Sequence, residues 1–316
     1  MTHADSPAGS GPPARRAGVR RLSGTAAPPP RGTAWSRARL GTEVRYLAAS
    51  IRGRLRGRDL ALIAAGLTFY AAIAVVPLLL VAIRLTGALV GADEVSRLTG
   101  RLAGLLPEQL GAPGVVRDLV DAGLGMDLFG LLLALLPLSL YGEGLRRALL
   151  RFSGSRDTLT GWRGRLLALP LVVVTPLLLY PLLLAAAGMA DLTDRAGAGP
   201  AVGRFALGYY SVLFVLTVPL VWGYRVVAAD RLRWPALVCG SLFTAACLSG
   251  FLQGFVLFLS LPLDLGAPFG GLTAVGAAVA LGLWLFLLHL VLLGGWLATQ
   301  ALDDRLAARR DGWIGV

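Results

Sequence analysis

Residues 60–90 read LALIAAGLTFYAAIAVVPLLLVAIRLTGALV, a run in which Arg84 is the only charged side chain. A helix needs about 20 apolar residues to cross the roughly 30 Å of hydrocarbon in a bilayer, and this stretch exceeds that length. The reading that decides the fold is therefore that lipid, not water, surrounds these side chains.

The rest of the chain agrees. Of its 316 residues 56% are hydrophobic and 15% charged, and the mean hydropathy is +0.70, too apolar for an ordinary soluble domain. Five further apolar runs follow Leu60–Val90: Met126 to Leu145, Leu166 to Ala190, Phe205 to Val227, Ala236 to Leu261 and Gly271 to Leu302. Backbone polar groups find no water inside the bilayer, and no run alternates as a membrane barrel strand does. The predicted fold is all-α: a polytopic bundle of about six transmembrane helices within residues 59–302.

Between the first two spans, Asp93 to Gly125 mixes Glu94, Arg97, Arg101, Glu108, Arg117, Asp118 and Asp121 with Leu and Val, broken by Pro107 and Pro113. It reads as a short amphipathic helical hairpin outside the cytoplasm. Residues 1–40 are rich in Pro, Gly, Ala, Ser and Arg and lack apolar periodicity, so they read as a disordered basic tail. In 41–58, Val44, Leu47, Ile51 and Leu55 recur at helical spacing among arginines, predicting a helix on the anionic membrane surface. Residues 303–316 read as a second cytoplasmic tail. A cleavable secretory signal is not expected, because the first apolar run begins late and is too long for one.

The formal charge of +12 comes from arginine alone, since the chain has no lysine. Twenty-four arginines fall before the first span, after the second, after the fourth and after the last; five fall in the other connections. The positive-inside rule then places both termini in the cytoplasm, as an even number of spans requires. Topology accounts for the basicity, so nucleic acid is not an expected partner, whereas anionic lipid headgroups are. Cys239 and Cys247 are about 12 Å apart on a helix, too far for a disulfide.

Polar groups inside the bilayer are costly and mark functional candidates: Arg84, Glu143, Gln253 and His289. Each has a structural reading too. Arg84 can snorkel to the outer interface, Glu143 can pair with Arg146 or Arg147, and Gln253 and His289 can bond neighbouring helices, His289 being also able to relay protons or hold a ligand. Pro77, Pro137, Pro170, Pro176, Pro181 and Pro219 are expected to kink their helices, either structurally or to expose backbone to a substrate. Gly240, Thr244, Cys247, Gly250 and Gly254 give the fifth span a small-residue face for packing within the bundle, or between copies in a homo-oligomer. No Cys, His or carboxylate cluster has metal-ligand spacing, and no phosphate loop, nucleophile elbow or kinase signature occurs, so neither metal nor cofactor is expected.

Four segments carry a family resemblance: Leu60–Tyr70 with Pro77-Leu78-Leu79; Ala148–Arg156; the connection from Tyr224-Arg225 to Trp234-Pro235; and Phe269-Gly270-Gly271-Leu272-Thr273-Ala274-Val275. Their order relative to six spans resembles the YihY/BrkB family of bacterial inner-membrane proteins over residues 41–305. The resemblance implies a multi-pass plasma-membrane protein concerned with transport or envelope lipid handling, or a non-transporting scaffold for envelope integrity, and not an enzyme. The chain departs from the family in three places. Gly294-Gly295-Trp296 stands where the family usually has Gly-Ala-Glu, Arg146 and Arg147 stand where acids are often seen, and Ser153 stands where a Trp is usual. A proton or ion pathway built on those acids would here be lost or relocated. The ribonuclease label sometimes given to the family finds no general acid and base pair in water in this sequence.

Overall fold

In a computed structural model, residues 37–105, 112–153, 169–193, 197–228, 232–259, 261 and 263–314 are described. Among them are nine α-helices and no strand. They are α1 (Arg37–Leu55), α2 (Leu60–Val90), α3 (Ala92–Ala103), α4 (Ala112–Leu124), α5 (Leu128–Phe152), α6 (Leu169–Thr193), α7 (Ala198–Trp222), α8 (Trp234–Leu259) and α9 (Thr273–Ile314). The six expected spans coincide with α2, α5, α6, α7, α8 and α9. Five of these are long and apolar enough to cross a membrane among the described residues; α6 has 25 residues, with a shorter apolar stretch over Leu178–Leu192.

Local chemistry sets the helix starts. Asp59 caps α2 by accepting from the Leu62 N–H at 3.0 Å, and Asp127 caps α5 by accepting from the Gly130 N–H at 2.7 Å. At the entry to α9 the chain must reverse tightly: a 3-10 turn over Ala267–Phe269 is followed by Gly270 and Gly271 at φ 66° and 86°. Only glycine occupies that left-handed region without strain, which gives the Phe269-Gly270-Gly271 motif its physical reason.

Helix α2 is the hub. It packs against α3, α4, α5, α6 and α9, and a closed circuit runs α2, α9, α8, α7, α6 and back to α2, with α5 laid against α2. The outward side of α5 is bare apolar surface, Leu128, Phe129, Leu132, Leu133 and Leu136 all being more than half exposed. Water would not tolerate so continuous a patch; lipid does. Where α8 and α9 meet, the backbones interlock. A methyl group added at Gly240 would lie 2.2 Å from the Thr299 hydroxyl, and one at Gly295 would lie 2.2 Å from that of Thr244. Gly250 and Gly254 face different neighbours, Tyr209 of α7 and Trp284 of α9.

The hairpin between the first two spans is present as α3 and α4. Helix α3 buries Val95, Leu98, Thr99 and Ala103, and on its polar side Glu94 pairs with Arg97 at 2.6 Å and Arg101 with Asp191 of α6 at 3.2 Å. Pro107 lies outside the described residues.

Two boundaries differ from the sequence reading. Helix α1 begins at Arg37, inside the stretch read as disordered tail, of which residues 1–36 lie outside the described residues. Its far end is not only a surface helix: Arg54 pairs with Asp304, the Arg305 guanidinium lies 4.8 Å from the Tyr46 ring centroid, and Ile51 and Leu55 pack on the main core. Residues 303–314, read as a tail, continue α9 without a break. Asp303 accepts from the Arg233 N–H at 3.0 Å, so partners from α1 and from the start of α8 hold those extra turns in helix.

A Gly240→Ala substitution is expected to lower stability by about 1–3 kcal/mol, as overpacking does. Gly282→Ala, whose added methyl meets nothing within 4 Å, should be nearly neutral. Unfolding of both variants in mixed detergent micelles checks the pair; equal behaviour would mean that α8 and α9 do not approach so closely.

Candidate functional site

The polar centre of the bundle forms where α2, α5 and α9 converge. His289 is 4% exposed, and its Nδ1 lies 2.7 Å from the Leu285 carbonyl one turn earlier in α9. A carbonyl only accepts, so Nδ1 carries the proton and Nε2 is the acceptor. The Tyr141 hydroxyl of α5 donates to that Nε2 at 3.2 Å, its ring edge-on to the imidazole. Thr68 of α2 donates to its own Ala64 carbonyl at 2.8 Å and presents the same oxygen 3.4 Å from Nδ1. The arrangement is a neutral imidazole held between three helices.

Tyr141 and His289 open on a partly enclosed cavity of about 310 Å³. Its other walls are apolar: Ala71, Ala74 and Leu78 from α2, Leu216, Pro219 and Leu220 from α7, Leu248 and Leu252 from α8, and Leu285, Leu288 and Leu292 from α9. That volume is at the lower end for small-ligand pockets, and a polar pair in an apolar chamber suits a ligand with a hydrocarbon body and one hydrogen-bonding group.

The cavity's floor has unusual backbone. Pro219 lies inside α7 and supplies no N–H, and immediately afterwards Gly223–Val227 winds as a π-helical turn closed by the Ala228 N–H donating to the Gly223 carbonyl at 2.9 Å. The turn buries Tyr224, whose hydroxyl donates to the Leu292 carbonyl at 3.0 Å and whose ring lies 4.9 Å from that of Trp296. Trp296 is fully buried, and its indole N–H donates to the Leu149 carbonyl of α5 at 3.2 Å. Where the resemblance expects an acid, this chain thus has an indole tying α9 to α5 and to the π turn.

Glu143 is 6% exposed and takes three hydrogen bonds: from Arg146 Nε and Nη2 at 2.9 and 3.0 Å, and from Arg147 Nε at 2.7 Å. Spacings of three and four place both guanidiniums on its side of α5. Arg146 is itself buried, so a carboxylate shared by two arginines keeps that charge satisfied. The Arg84 Nε donates to the Met126 carbonyl at 2.9 Å, which joins α2 to the start of α5. Gln253 packs beside Gly208 of α7 and Met189 of α6, since a methyl at Gly208 would meet its amide at 2.9 Å. The structure therefore brings His289 together with Tyr141 and Thr68, and Glu143 with Arg146 and Arg147, while Arg84 and Gln253 sit apart from both groups.

Pro77 and Pro137 also lie inside continuous helices, α2 and α5, while the side chain of Pro176 in α6 lies outside the described residues. Cys239 and Cys247 are free thiols. Among the described residues no three His, Cys, Asp or Glu side chains are grouped to hold a metal ion. Sequence reasoning missed Tyr141, Thr68 and Tyr224; their only signal was a hydroxyl inside an apolar run.

No curated protein and no solved structure matches the chain. The family model described as Virulence factor BrkB matches residues 51–314, from the end of α1 to the end of α9. The match takes in the helical circuit, the hairpin, the His289 cavity and the Glu143 cluster, and the chain belongs to the Virulence factor BrkB family.

Proposed function

We propose that this chain moves or hands over an amphipathic, lipid-like molecule within the bacterial plasma membrane, with both of its own termini in the cytoplasm. The observation that carries the reading is the His289 cavity: an apolar chamber in the middle of a membrane bundle, bounded by a proline and a π turn and offering two polar atoms. An acyl or isoprenoid body meets leucine there as it would meet lipid, while the Tyr141 oxygen, whose proton is directed at His289, still accepts from a hydroxyl of the substrate. No bond-making step enters this reading, because both nitrogens of His289 are engaged inside the bundle and the residue stands among leucines rather than in water. The arginine asymmetry supports the orientation. A non-transporting scaffold is the second reading, favoured by the helical extension of α9 beyond the apolar run.

Purified chain in liposomes is expected to move fluorescent lipid between leaflets, and Leu288→Trp, which fills the cavity from α9, should cut that rate several-fold while leaving the fold intact. Absence of flux across a broad lipid and solute panel would remove the transport reading and leave the scaffold. Reporter fusions at residue 1 and residue 316 should both label from the cytoplasmic side; a split result would redraw the topology.

A further inference from the structure

A second concavity, about 610 Å³, lies between the first half of α2 and the last half of α5. It is graded in polarity. Arg58, Arg147 and Arg151 line one end, Tyr70 and Leu140 line the other, and Leu62 and Gly66 lie between them. From Leu62 to Tyr70 the wall runs eight residues of helix, about 12 Å. The Tyr70 ring lies on the backbone of α5, where a methyl at Gly144 would meet it at 2.8 Å, and Gly66 leaves an open notch with nothing within 4 Å of an added methyl.

The charge at the basic end is available. Asp59 also lines the groove, capping α2 through one carboxylate oxygen, and its charge offsets one of the three arginines. Glu143 is committed to Arg146 and Arg147, and Arg147 gives it only Nε while its side chain remains 69% exposed. Arg58 is steadied by the Arg54 carbonyl at 3.5 Å and lies 5.8 Å from the Phe152 ring. Arg151 is exposed and has no hydrogen bond or ion pair among the described residues. Guanidinium groups bind phosphate oxygens in pairs and at short range, and every glycerophospholipid headgroup carries a phosphate. An apolar lane continuing from them toward the membrane interior suits the chain attached to that phosphate.

We propose that the α2/α5 groove is a binding site for one anionic phospholipid, its phosphate held by Arg58, Arg147 and Arg151 and an acyl chain lying along Leu62, Gly66 and Tyr70. The proposal rests on the lipid-handling reading for its consequence, delivery of substrate to the bundle, but the site itself is tested by binding alone.

The probe is dioleoyl phosphatidylglycerol added to delipidated full-length chain, with retention per chain read by native mass spectrometry against dioleoyl phosphatidylcholine and inorganic phosphate. One phosphatidylglycerol should be retained in preference to phosphatidylcholine. Arg58→Gln with Arg151→Gln, and separately Gly66→Leu, should each weaken retention about tenfold, the scale of one good charge-assisted contact or a blocked lane. Arg52→Gln with Arg56→Gln removes the same charge from exposed positions in and just after the last turn of α1, outside the groove, and should leave retention unchanged. Equal loss in that control would overturn the site in favour of diffuse surface attraction, and competition by inorganic phosphate as strong as by lipid would overturn the lipid as occupant. Retention unaffected by either groove variant would also overturn it. Specific retention without leaflet-to-leaflet flux would sustain the site while removing transport.

Discussion

Hydrocarbon offers no partner to a peptide N–H or C=O, and every other feature of this chain is arranged around that fact. Six segments therefore close their hydrogen bonds internally as helices. Proline at 77, 137 and 219 leaves the carbonyls of Ile73, Leu133 and Val215 without the usual helical donor, the first two on exposed faces of their helices, and the π turn at Gly223–Val227 shifts the ladder by one residue. The last of these departures borders the His289 cavity. Local loss of helical regularity and available interior space occur together there, as they do in membrane proteins whose backbone lines a cavity.

Buried polarity is managed by sharing. Glu143 would be prohibitively costly alone in this medium, and two arginines one turn away remove most of that cost while leaving one of them largely exposed at the groove. His289 is treated differently: neighbours from two other helices satisfy it as a neutral ring. One cluster pairs charges along a single helix, and the other joins three helices through an imidazole and two hydroxyls.

The span positions were legible because hydropathy over 20 or more residues is a property of the chain in order, and the circuit of helices added little that contradicted it. Glu143 and its arginines were legible too, since spacings of three and four place them together on any helix. Thr68, Tyr141 and His289 are 73 and 148 residues apart along the chain in successive steps, and no periodicity announces such a meeting. Trp296 was read only as the absence of an acid, because its task of bonding Leu149 and packing on Tyr224 depends on a π turn that composition does not reveal. The unbroken course of α9 past Leu302 was missed for a related reason: Asp303 and Asp304 look like the end of a span until their arginine partners from elsewhere are in place.

Helix α9 has 42 residues, about 63 Å of stiff rod, roughly twice the thickness of the hydrocarbon. It carries His289 near its middle, and its far turns are clasped by Arg54 and Arg233. A tilt of a few degrees at the cavity would move those turns, about 21 Å along the helix, by one to two ångströms, so a ligand held there would have a mechanical lever reaching the clasped end.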